Sequence, residues 1–365
     1  MKVPFNYLNY QFKNKKKYFK EWSKLIDSSE FTLGPYVSNF EKSFAKYIGI
    51  KHCISTNNGT DALILSLKSL GVKKGDEVIT VCNSFYASAG AIDACGAKVI
   101  FVDTDYRYQI DLDKLEKAIT KKTKVIMPVH WGGASPNMYR IMKLANKYKI
   151  KVIEDACMGI GAKILRKSPG TFGDVNAFSM HPLKSLNVMG DGGMIGTNNS
   201  KIANWLRKYR NHGMINRDEL AMWGVNARMQ PLQAIVATLQ LKDVDNIIKK
   251  RIKNANFLDK QLSQINDIRI PKRIKGYKET FALYMANFKQ RDKLKKYLTQ
   301  NNVEVKIHYP KPLHLQKPSK KLGYKKGDFL NAERQAKELL TLPVHQYLSL
   351  NQLKYMVKKI KEFYR

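Results

Sequence analysis

A lysine in an apolar segment has the clearest potential for covalent chemistry in this sequence. Lys184 stands five residues after Ser179, which lies near the end of a predicted strand, and shortly before the glycine-rich segment 190–193. Apolar surroundings lower the pKa of a lysine and free its amine to form an imine with a carbonyl compound. A single lysine is ordinarily a solvated surface residue, so this interpretation depends on the groups that accompany it.

Two segments at predicted strand ends carry such groups. Glu154-Asp155 closes a Val/Ile-rich run, and a carboxylate there can pair with a protonated pyridine nitrogen, so that the ring withdraws electrons. The segment 57–61 lies between a strand and a helix, where Gly59, the free N–H groups of the helix start and the Thr60 hydroxyl suit a phosphate. The plainer alternatives are an acidic loop start and a helix N-cap.

An alternation of strands and helices is predicted to position these groups. Val/Ile-rich runs at 77–81, 98–103, 124–129 and 151–156 are separated by helical patterns at 85–95, 112–120 and 137–148. A strand at 51–56 and helices at 36–48 and 61–70 precede them, and strands at 175–180 and 193–198 follow with no helix between. Such alternation predicts an α/β domain whose mainly parallel sheet is covered on both faces. Ligands of open sheets of this kind collect at the carboxyl ends of the strands.

The pattern changes after a long helical stretch at 230–263, whose apolar residues recur three and four apart. Beyond it we expect strands at 281–288 and 303–308 and helices at 290–300, 331–339 and 349–362. This predicts a large domain over residues 1–245, including the N-terminal segment, and a small C-terminal α+β domain over residues 246–365.

The composition is that of a folded chain with an unusual charge. Hydrophobic residues make up 44% of the 365 residues, and no apolar run has the length of a membrane span or a signal peptide. We therefore expect a cytoplasmic protein. The four cysteines are far apart and lack metal-binding spacing, so we expect buried free thiols and no metal.

The chain has 65 Lys and Arg against 30 Asp and Glu, a net charge of +35. A balance of this kind is typical of nucleic-acid-binding proteins. However, the lysines are spread over the whole chain, and no zinc-finger, RNP or basic-zipper pattern accompanies them. The distribution disfavours a specific nucleic-acid partner and favours a general attraction for anionic ligands.

The order and spacing of these segments resemble one family, the DegT/DnrJ/EryC1/StrS sugar aminotransferases of pyridoxal-phosphate fold type I. The resemblance runs from Pro4-Phe5 almost to the C-terminus. It rests on a series of short segments in the family's order: 32–35, 59–63, 75–78, Ser84-Phe85, 128–130, 154–156, Gly173-Asp174, Ser179, Lys184, 190–193, Asn226, Arg228-Met229, 232–234, 308–310 and 312–314. The resemblance implies an aspartate-aminotransferase-like large domain with a small C-terminal domain.

Carried over to this chain, the resemblance assigns roles to the residues above. Lys184 would form the Schiff base with pyridoxal 5′-phosphate and move a proton between substrate and cofactor, which passes through pyridoxamine phosphate. Asp155 would keep the pyridine nitrogen protonated, and Phe85 would stack on the ring. One position departs from the family: Met158 stands where a glutamine usually lies near the phenolic oxygen, and methionine donates no hydrogen bond.

The phosphate would be held by groups from two chains. The resemblance places Gly59, Thr60 and Ser179 around it, and it brings Asn226 from the neighbouring subunit. This implies a homodimer with shared active sites.

The reaction implied by the resemblance moves an amino group from glutamate to a keto-sugar. Its substrates would be nucleotide-linked sugars with the keto group at carbon 3 or carbon 4. The Gly-Asp-Gly-Gly segment favours carbon 3, whereas His181-Pro182 is more similar to members that act on octulosonate-type sugar acids. Candidate substrate contacts are His181, His308, Tyr309 and His314, with a purely structural role as the alternative for the histidines.

Two other functions compete with this interpretation. The first is a pyridoxamine-dependent sugar dehydratase on the same fold, in which histidine replaces the lysine; Lys184 argues against it. The second is a non-catalytic, nucleic-acid-binding protein that has kept the fold. Only the net charge supports this alternative.

Overall fold

A seven-stranded sheet forms the centre of the computed structural model, which describes all 365 residues. Its strands are β1 (His52–Thr56), β2 (Glu77–Val81), β3 (Lys98–Val102), β4 (Thr123–Met127), β5 (Lys151–Asp155), β7 (Val175–Ser179) and β8 (Gly193–Thr197). One short pair consists of β6 (Lys163–Ile164) and β10 (Tyr277–Lys278), and a second sheet consists of β9 (Ile268–Arg269), β11 (Tyr284–Phe288) and β12 (Leu339–Leu342).

The strand order of the large sheet is β1-β8-β7-β5-β4-β2-β3. The pairs β2–β3, β2–β4, β4–β5 and β5–β7 are parallel, whereas β8 runs antiparallel to both β7 and β1. The antiparallel return fits the absence of a helix between β7 and β8, because only a parallel connection needs a long crossover. The expected mainly parallel α/β sheet is confirmed.

Thirteen helices surround the sheets. They are α1 (Leu8–Gln11), α2 (Lys16–Ser28), α3 (Gly34–Ile48), α4 (Gly59–Ser69), α5 (Tyr86–Ala94), α6 (Leu112–Lys117), α7 (Met138–Tyr148), α8 (Ser200–Tyr209), α9 (Pro231–Leu241), α10 (Val244–Leu262), α11 (Arg291–Gln300), α12 (Leu330–Glu338) and α13 (Leu350–Phe363). None of them is long and apolar enough to cross a lipid bilayer.

Both faces of the large sheet are buried. Along β2, Val78 packs into a cluster that includes residues of α4, α5 and α8, while the next residue, Ile79, packs into a cluster with residues of α6 and α7. In β5, Ile153 packs into the first of these clusters and Val152 into the second. Successive side chains of a strand point to opposite faces, so these near-continuous apolar runs are explained by helices on both sides.

The long helix expected at 230–263 is wrong in one respect. Lys242 and Asp243 form a turn, in which Asp243 N–H bonds to the carbonyl of Gln240, and they separate α9 from α10. Helix α9 packs on α2 and α3, whereas α10 packs on α13. The start of α10 shares a core with α9, since Val244 and Ile248 lie in the same apolar cluster as Ala234 and Ala237. The later part of α10 packs in the core of the C-terminal unit.

The C-terminal unit has the sheet β12-β11-β9, with α11 and α13 packed in the same apolar cluster. The strand expected at 303–308 is wrong, because this segment makes only single bridges, from Val303 to Val3 and from Lys306 to Thr341. Strand β12 takes the place beside β11 instead. Val3 is buried in the C-terminal cluster, so the first residues pack on this unit. The domain boundary at 245/246 stays a prediction.

Candidate active site

The carboxyl ends of five strands of the large sheet meet at a cleft of about 270 Å³. Each of these strands is followed by residues that line the cleft: Asn58, Gly59 and Thr60 after β1; Ser84, Phe85 and Ser88 after β2; Val129 and Trp131 after β4; Cys157 and Met158 after β5; and His181, Leu183 and Lys184 after β7. Parallel strands bring residues far apart in the chain to one edge of the sheet, where open α/β folds bind ligands.

Lys184 lies in this cleft with its ammonium group free of protein partners. Its backbone N–H donates to the carbonyl of His181 at 2.8 Å, and its own carbonyl accepts from Tyr7 Oη at 3.4 Å. Burial lowers the pKa of the Lys184 amine, although Cys157 and Asp155 act in the opposite direction. The loop therefore fixes the backbone of Lys184 while leaving its Nζ available for reaction.

Asp155 is buried at the end of β5 and is held by neutral donors. Ser88 Oγ donates to Asp155 Oδ2 at 2.8 Å, and Ser84 Oγ lies 2.8 Å from Ser88 Oγ. The backbone N–H of Cys157 donates to Asp155 Oδ1 at 3.3 Å. A buried carboxylate without a positive partner is costly, and none of these contacts supplies one. Asp155 is thus arranged to receive a cationic group from the cleft.

Its neighbour Glu154 has a different task. Glu154 is fully buried; its Oε2 lies 2.9 Å from His130 Nε2, and its carboxylate accepts the backbone N–H groups of Gly170, Phe172 and Gly173 at 2.7–2.9 Å. The pleat of β5 turns consecutive side chains to opposite faces. Glu154 consequently holds the 170–173 loop together, and only Asp155 faces the cleft.

The start of α4 forms the other end of the cleft. Asn58 caps the helix by accepting the N–H of Asp61 at 2.8 Å, while the N–H groups of Gly59 and Thr60 have no protein acceptor. A Cβ atom on Gly59 would lie 2.7 Å from Cβ of Ser179, so only glycine permits this close approach. Two free N–H groups, the helix dipole and the Ser179 hydroxyl at one point suit a phosphate.

Aromatic side chains line the cleft beside these groups. The ring of Phe85 lies 5.3 Å from that of Tyr86 and 6.1 Å from that of Tyr309, which in turn lies 5.6 Å from Trp131. Phe85 is 47% exposed, so part of its ring remains available for stacking. The predicted residues Phe85 and Tyr309 are thus brought together, and Trp131 is an aromatic neighbour that the sequence analysis did not identify.

Two of the predicted histidines line the cleft. Burial, Lys184 and Lys306 lower the pKa of His308 to about 4, and its Nδ1 lies 2.9 Å from Thr341 Oγ1. Burial and Lys184 also lower the pKa of His181. Both imidazoles are consequently neutral near pH 7 and can exchange hydrogen bonds with a polar ligand without adding charge.

Two predicted residues lie outside the cleft of their own chain. His314 is buried with its Nε2 3.1 Å from Glu333 Oε1 and its ring against Phe329, so it is left out of the candidate substrate contacts. Asn226 is exposed and accepts from Arg228 Nε at 3.0 Å. If Asn226 contributes to an active site, it must do so in another subunit.

Other cleft residues that the sequence analysis missed lie far from the strand ends of the large sheet: Tyr7, Arg251 and His345 all line the cleft. Arg251 lies in the middle of α10, and its N–H groups contact Tyr7 and Gln346. No local motif marks these positions, because they are brought to the cleft from the N-terminal segment and the C-terminal unit. Met158 also lines the cleft, at the position where the sequence departs from the family that it resembles.

Comparison with known proteins identifies the relatives of this chain. The model of the DegT/DnrJ/EryC1/StrS aminotransferase family matches residues 13–361. The chain is 38% identical over 369 residues to the pleiotropic regulatory protein of Geobacillus stearothermophilus, covering 100% of this chain and 99% of that protein. It is 33% identical over 349 residues to the dTDP-3-amino-3,4,6-trideoxy-alpha-D-glucose transaminase of Micromonospora megalomicea subsp. nigra, covering 93% and 92%.

A solved structure shares the whole fold. NtdA of Bacillus subtilis with bound cofactor PMP superposes with a TM-score of 0.93 at 30% identity, covering 99% of this chain and 85% of that chain.

Proposed function

This chain belongs to the DegT/DnrJ/EryC1/StrS aminotransferase family and is a pyridoxal-phosphate-dependent sugar aminotransferase, and from that premise we propose that it transfers the amino group of glutamate to a nucleotide-linked keto-deoxy-sugar. The observation that supports the reaction is the single cleft that holds Lys184 with a lowered pKa, Asp155 without a cationic partner, and the free N–H groups of α4.

The residues of the cleft fit the cofactor. The start of α4 with Ser179 matches a phosphate, since Gly59 leaves room where any Cβ would collide. Asp155 lacks the positive partner that a protonated ring nitrogen would provide, and Phe85 has part of its ring exposed. When bound, pyridoxal phosphate supplies a carbonyl group for the amine and a ring that stabilises negative charge at the substrate carbon.

The chain's own groups would act around it as follows. Lys184 Nζ, whose pKa is lowered by burial, would take the proton from Cα of the donor and pass it on. Asp155, whose carboxylate is oriented by Ser88, would hold the proton on the ring nitrogen. Gly59, Thr60 and Ser179 would hold the phosphate of the cofactor.

For the sugar, we propose that the keto group lies at carbon 3 or carbon 4. Carbon 3 is favoured by the Gly-Asp-Gly-Gly segment and by the relative named as a 3-amino-sugar transaminase. His181-Pro182 favours an octulosonate-type sugar acid, which is the alternative. His181, His308 and Tyr309 are the proposed substrate contacts, since they lie in the cleft as uncharged polar groups that suit sugar hydroxyls.

The experiment is a panel of keto-sugars offered to the purified protein with glutamate. The panel contains nucleotide-linked 3-keto and 4-keto sugars and free keto sugar acids, and the product is identified by its mass. Conversion of one member to its amine, with release of 2-oxoglutarate, supports the proposal and selects among the alternatives. Bleaching by glutamate with no aminated sugar from any member would contradict the proposed substrate class.

We also propose that the active form is a homodimer in which Asn226 reaches the phosphate of the partner's site. The segment before Asn226 exposes three large apolar side chains: Ile215 is 55% exposed, Leu220 48% and Trp223 88%. Apolar side chains exposed together in this way mark interaction surfaces. Asn226 lies outside its own cleft, which supports a role in the partner.

A further inference from the structure

One buried arginine of this chain lacks the negative partner that the others have. Arg107, Arg210, Arg251 and Arg291 are the four buried arginines. Arg107 pairs with Glu279, Arg210 with Glu41 and Arg291 with Asp292. Arg251 is 1% exposed and makes no ion pair with any carboxylate of the chain.

The partners of Arg251 are all neutral. Its Nε donates to Gln346 Oε1 at 3.0 Å, and Nη2 donates to Tyr7 Oη at 2.7 Å. Its Nη1 reaches the carbonyls of Phe281 and Ala282 only at 3.4 and 3.5 Å. Neutral acceptors orient a guanidinium, but they do not neutralise it, and a buried charge is costly until it is paired.

Arg251 lines the same cleft as Lys184. Tyr7 connects the two residues, because its Oη lies 2.7 Å from Arg251 Nη2 and 3.4 Å from the carbonyl oxygen of Lys184. His345, which also lines the cleft, adds no charge, since burial lowers its pKa to about 4. The side of the cleft formed by α10 therefore presents one permanent positive charge close to the reactive lysine.

Resting on the proposed function, we propose that Arg251 binds the α-carboxylate of the amino-acid donor. The planar guanidinium matches a carboxylate with two parallel N–H groups. The α-carboxylate is attached to the carbon that loses its proton to Lys184, so its anchor must lie beside that lysine. The side-chain carboxylate of glutamate lies three bonds further along the molecule and would not be held next to Lys184.

The neutral partners of Arg251 explain how one cleft serves two unlike substrates. A carboxylate partner of the protein would compete with the donor for the guanidinium. Tyr7 and Gln346 instead keep Arg251 in place while an uncharged part of the sugar occupies the same space. As neutral acceptors they do not neutralise the guanidinium, so its charge stays available for the donor. The same residue can thus recognise the amino acid in one half of the reaction and tolerate the sugar in the other.

The test uses two ligands that differ only at the α-carboxylate. α-Methyl-L-glutamate has no α-proton to lose, so it binds without transferring its amino group, and its α-amide lacks the negative charge. Their dissociation constants are measured by calorimetry on the protein loaded with pyridoxal phosphate, for wild type, Arg251→Met and Arg251→Lys. We expect wild type to prefer the acid over the amide by roughly 10- to 100-fold, the value of a charge-assisted hydrogen bond.

In Arg251→Met this preference should disappear, and in Arg251→Lys it should be intermediate. The matched control is Arg107→Met, another buried arginine, whose charge is paired with Glu279; its preference should equal that of wild type. Equal weakening of both ligands in Arg251→Met, or absence of a preference in wild type, would overturn the inference. Should Arg251→Met fail to fold, Arg251→Lys and the wild-type preference decide the question.

Turnover with glutamate is recorded separately. A wild-type protein that binds the acid preferentially but transfers no amino group from glutamate would contradict the proposed function and leave the inference supported. Transfer of the amino group from glutamate without a preference for the acid would contradict the inference on Arg251 and leave the proposed function supported.

Discussion

Ser88 Oγ donates a hydrogen bond of 2.8 Å to Asp155 Oδ2, and both side chains are buried. Ser88 lies on α5 and Asp155 at the end of β5, so the bond joins a helix to a strand end. Asp155 is the residue that we propose pairs with the ring nitrogen of the cofactor. The bond orients a carboxylate that makes no ion pair within the protein, and we expect the strength of cofactor binding to depend on this hydrogen bond.

Ser88→Ala is expected to weaken pyridoxal phosphate binding by about tenfold or more, because a hydrogen bond to a charged group contributes about 1.5–3 kcal/mol. The dissociation constant of the cofactor, measured by fluorescence quenching, checks this. Ser43→Ala, which removes an exposed hydroxyl bonded to its own helix, is the control. An unchanged cofactor affinity in Ser88→Ala would show that Asp155 is oriented by other contacts.

Lys184→Ala should abolish covalent attachment of the cofactor and reduce amino transfer by roughly 10²–10⁴-fold, the usual contribution of a positioned acid–base group. Borohydride treatment of wild type followed by peptide mass analysis should place the cofactor on Lys184. Turnover of glutamate by Lys184→Ala at the wild-type rate would rule out its assignment as the reactive lysine.

Lys184 should also make the cofactor-free protein less stable at neutral pH. Burial lowers its pKa in the folded state, so between that pKa and the ordinary lysine value near 10.4 the unfolded chain binds more protons than the folded one, and stability rises with pH. Lys184→Met should therefore melt at a higher temperature than wild type at pH 7, with the difference shrinking as the pH approaches 10.

Thermal unfolding of the two cofactor-free proteins at several pH values measures this. Substitution of an exposed lysine of α3, Lys42→Met, controls for the general loss of one positive charge. A melting difference at Lys184 that does not change with pH would mean that burial of the amine is not its cause.

Gly59→Ala should weaken binding of pyridoxal phosphate far more than binding of pyridoxal. A Cβ at residue 59 would lie 2.7 Å from Cβ of Ser179 and would push apart the two elements proposed to hold the phosphate. The two dissociation constants are compared in wild type and variant. Gly90→Ala is the control, because a Cβ there, also in a helix, meets nothing within 4 Å; it should leave the ratio unchanged.

Asn226 can be tested by mixing two defective proteins. Lys184→Ala and Asn226→Asp should each be impaired, the second because a carboxylate would repel the phosphate of the partner's cofactor. In a mixed dimer, one site combines an intact Lys184 with an intact Asn226 of the other subunit. Activity should therefore recover after the two proteins are unfolded and refolded together. A mixture no more active than the sum of its parts would contradict the shared site.

Local patterns in the sequence were sufficient for most of the large sheet and for the central residues of the site. The alternating strands and helices were visible because each strand is buried on both faces and reads as a continuous apolar run. Lys184, Asp155 and Gly59 were accessible to sequence analysis because each stands directly after such a run, and parallel strands collect their carboxyl ends at one edge.

Other features depended on tertiary contacts that no local pattern encodes. The turn at Lys242-Asp243 and strand β12 depend on tertiary packing, since the helical periodicity of 230–263 would equally allow one continuous helix. Glu154 and Asp155 are adjacent and chemically alike, and only the register of β5 decides that Asp155 faces the cleft while Glu154 holds a loop. His308 and His314 are separated in the same way, one in the cleft and one in the core.

Arg251 shows the difference most clearly. The sequence was sufficient to identify a family, a cofactor and the lysine proposed to react with it, because those depend on short segments at strand ends. It could not single out one arginine among the many basic residues of the chain. Tyr7, Gln346 and Lys184 come from segments far from α10, and Arg251 becomes a site for an anion only when folding brings them together around a guanidinium that no carboxylate neutralises.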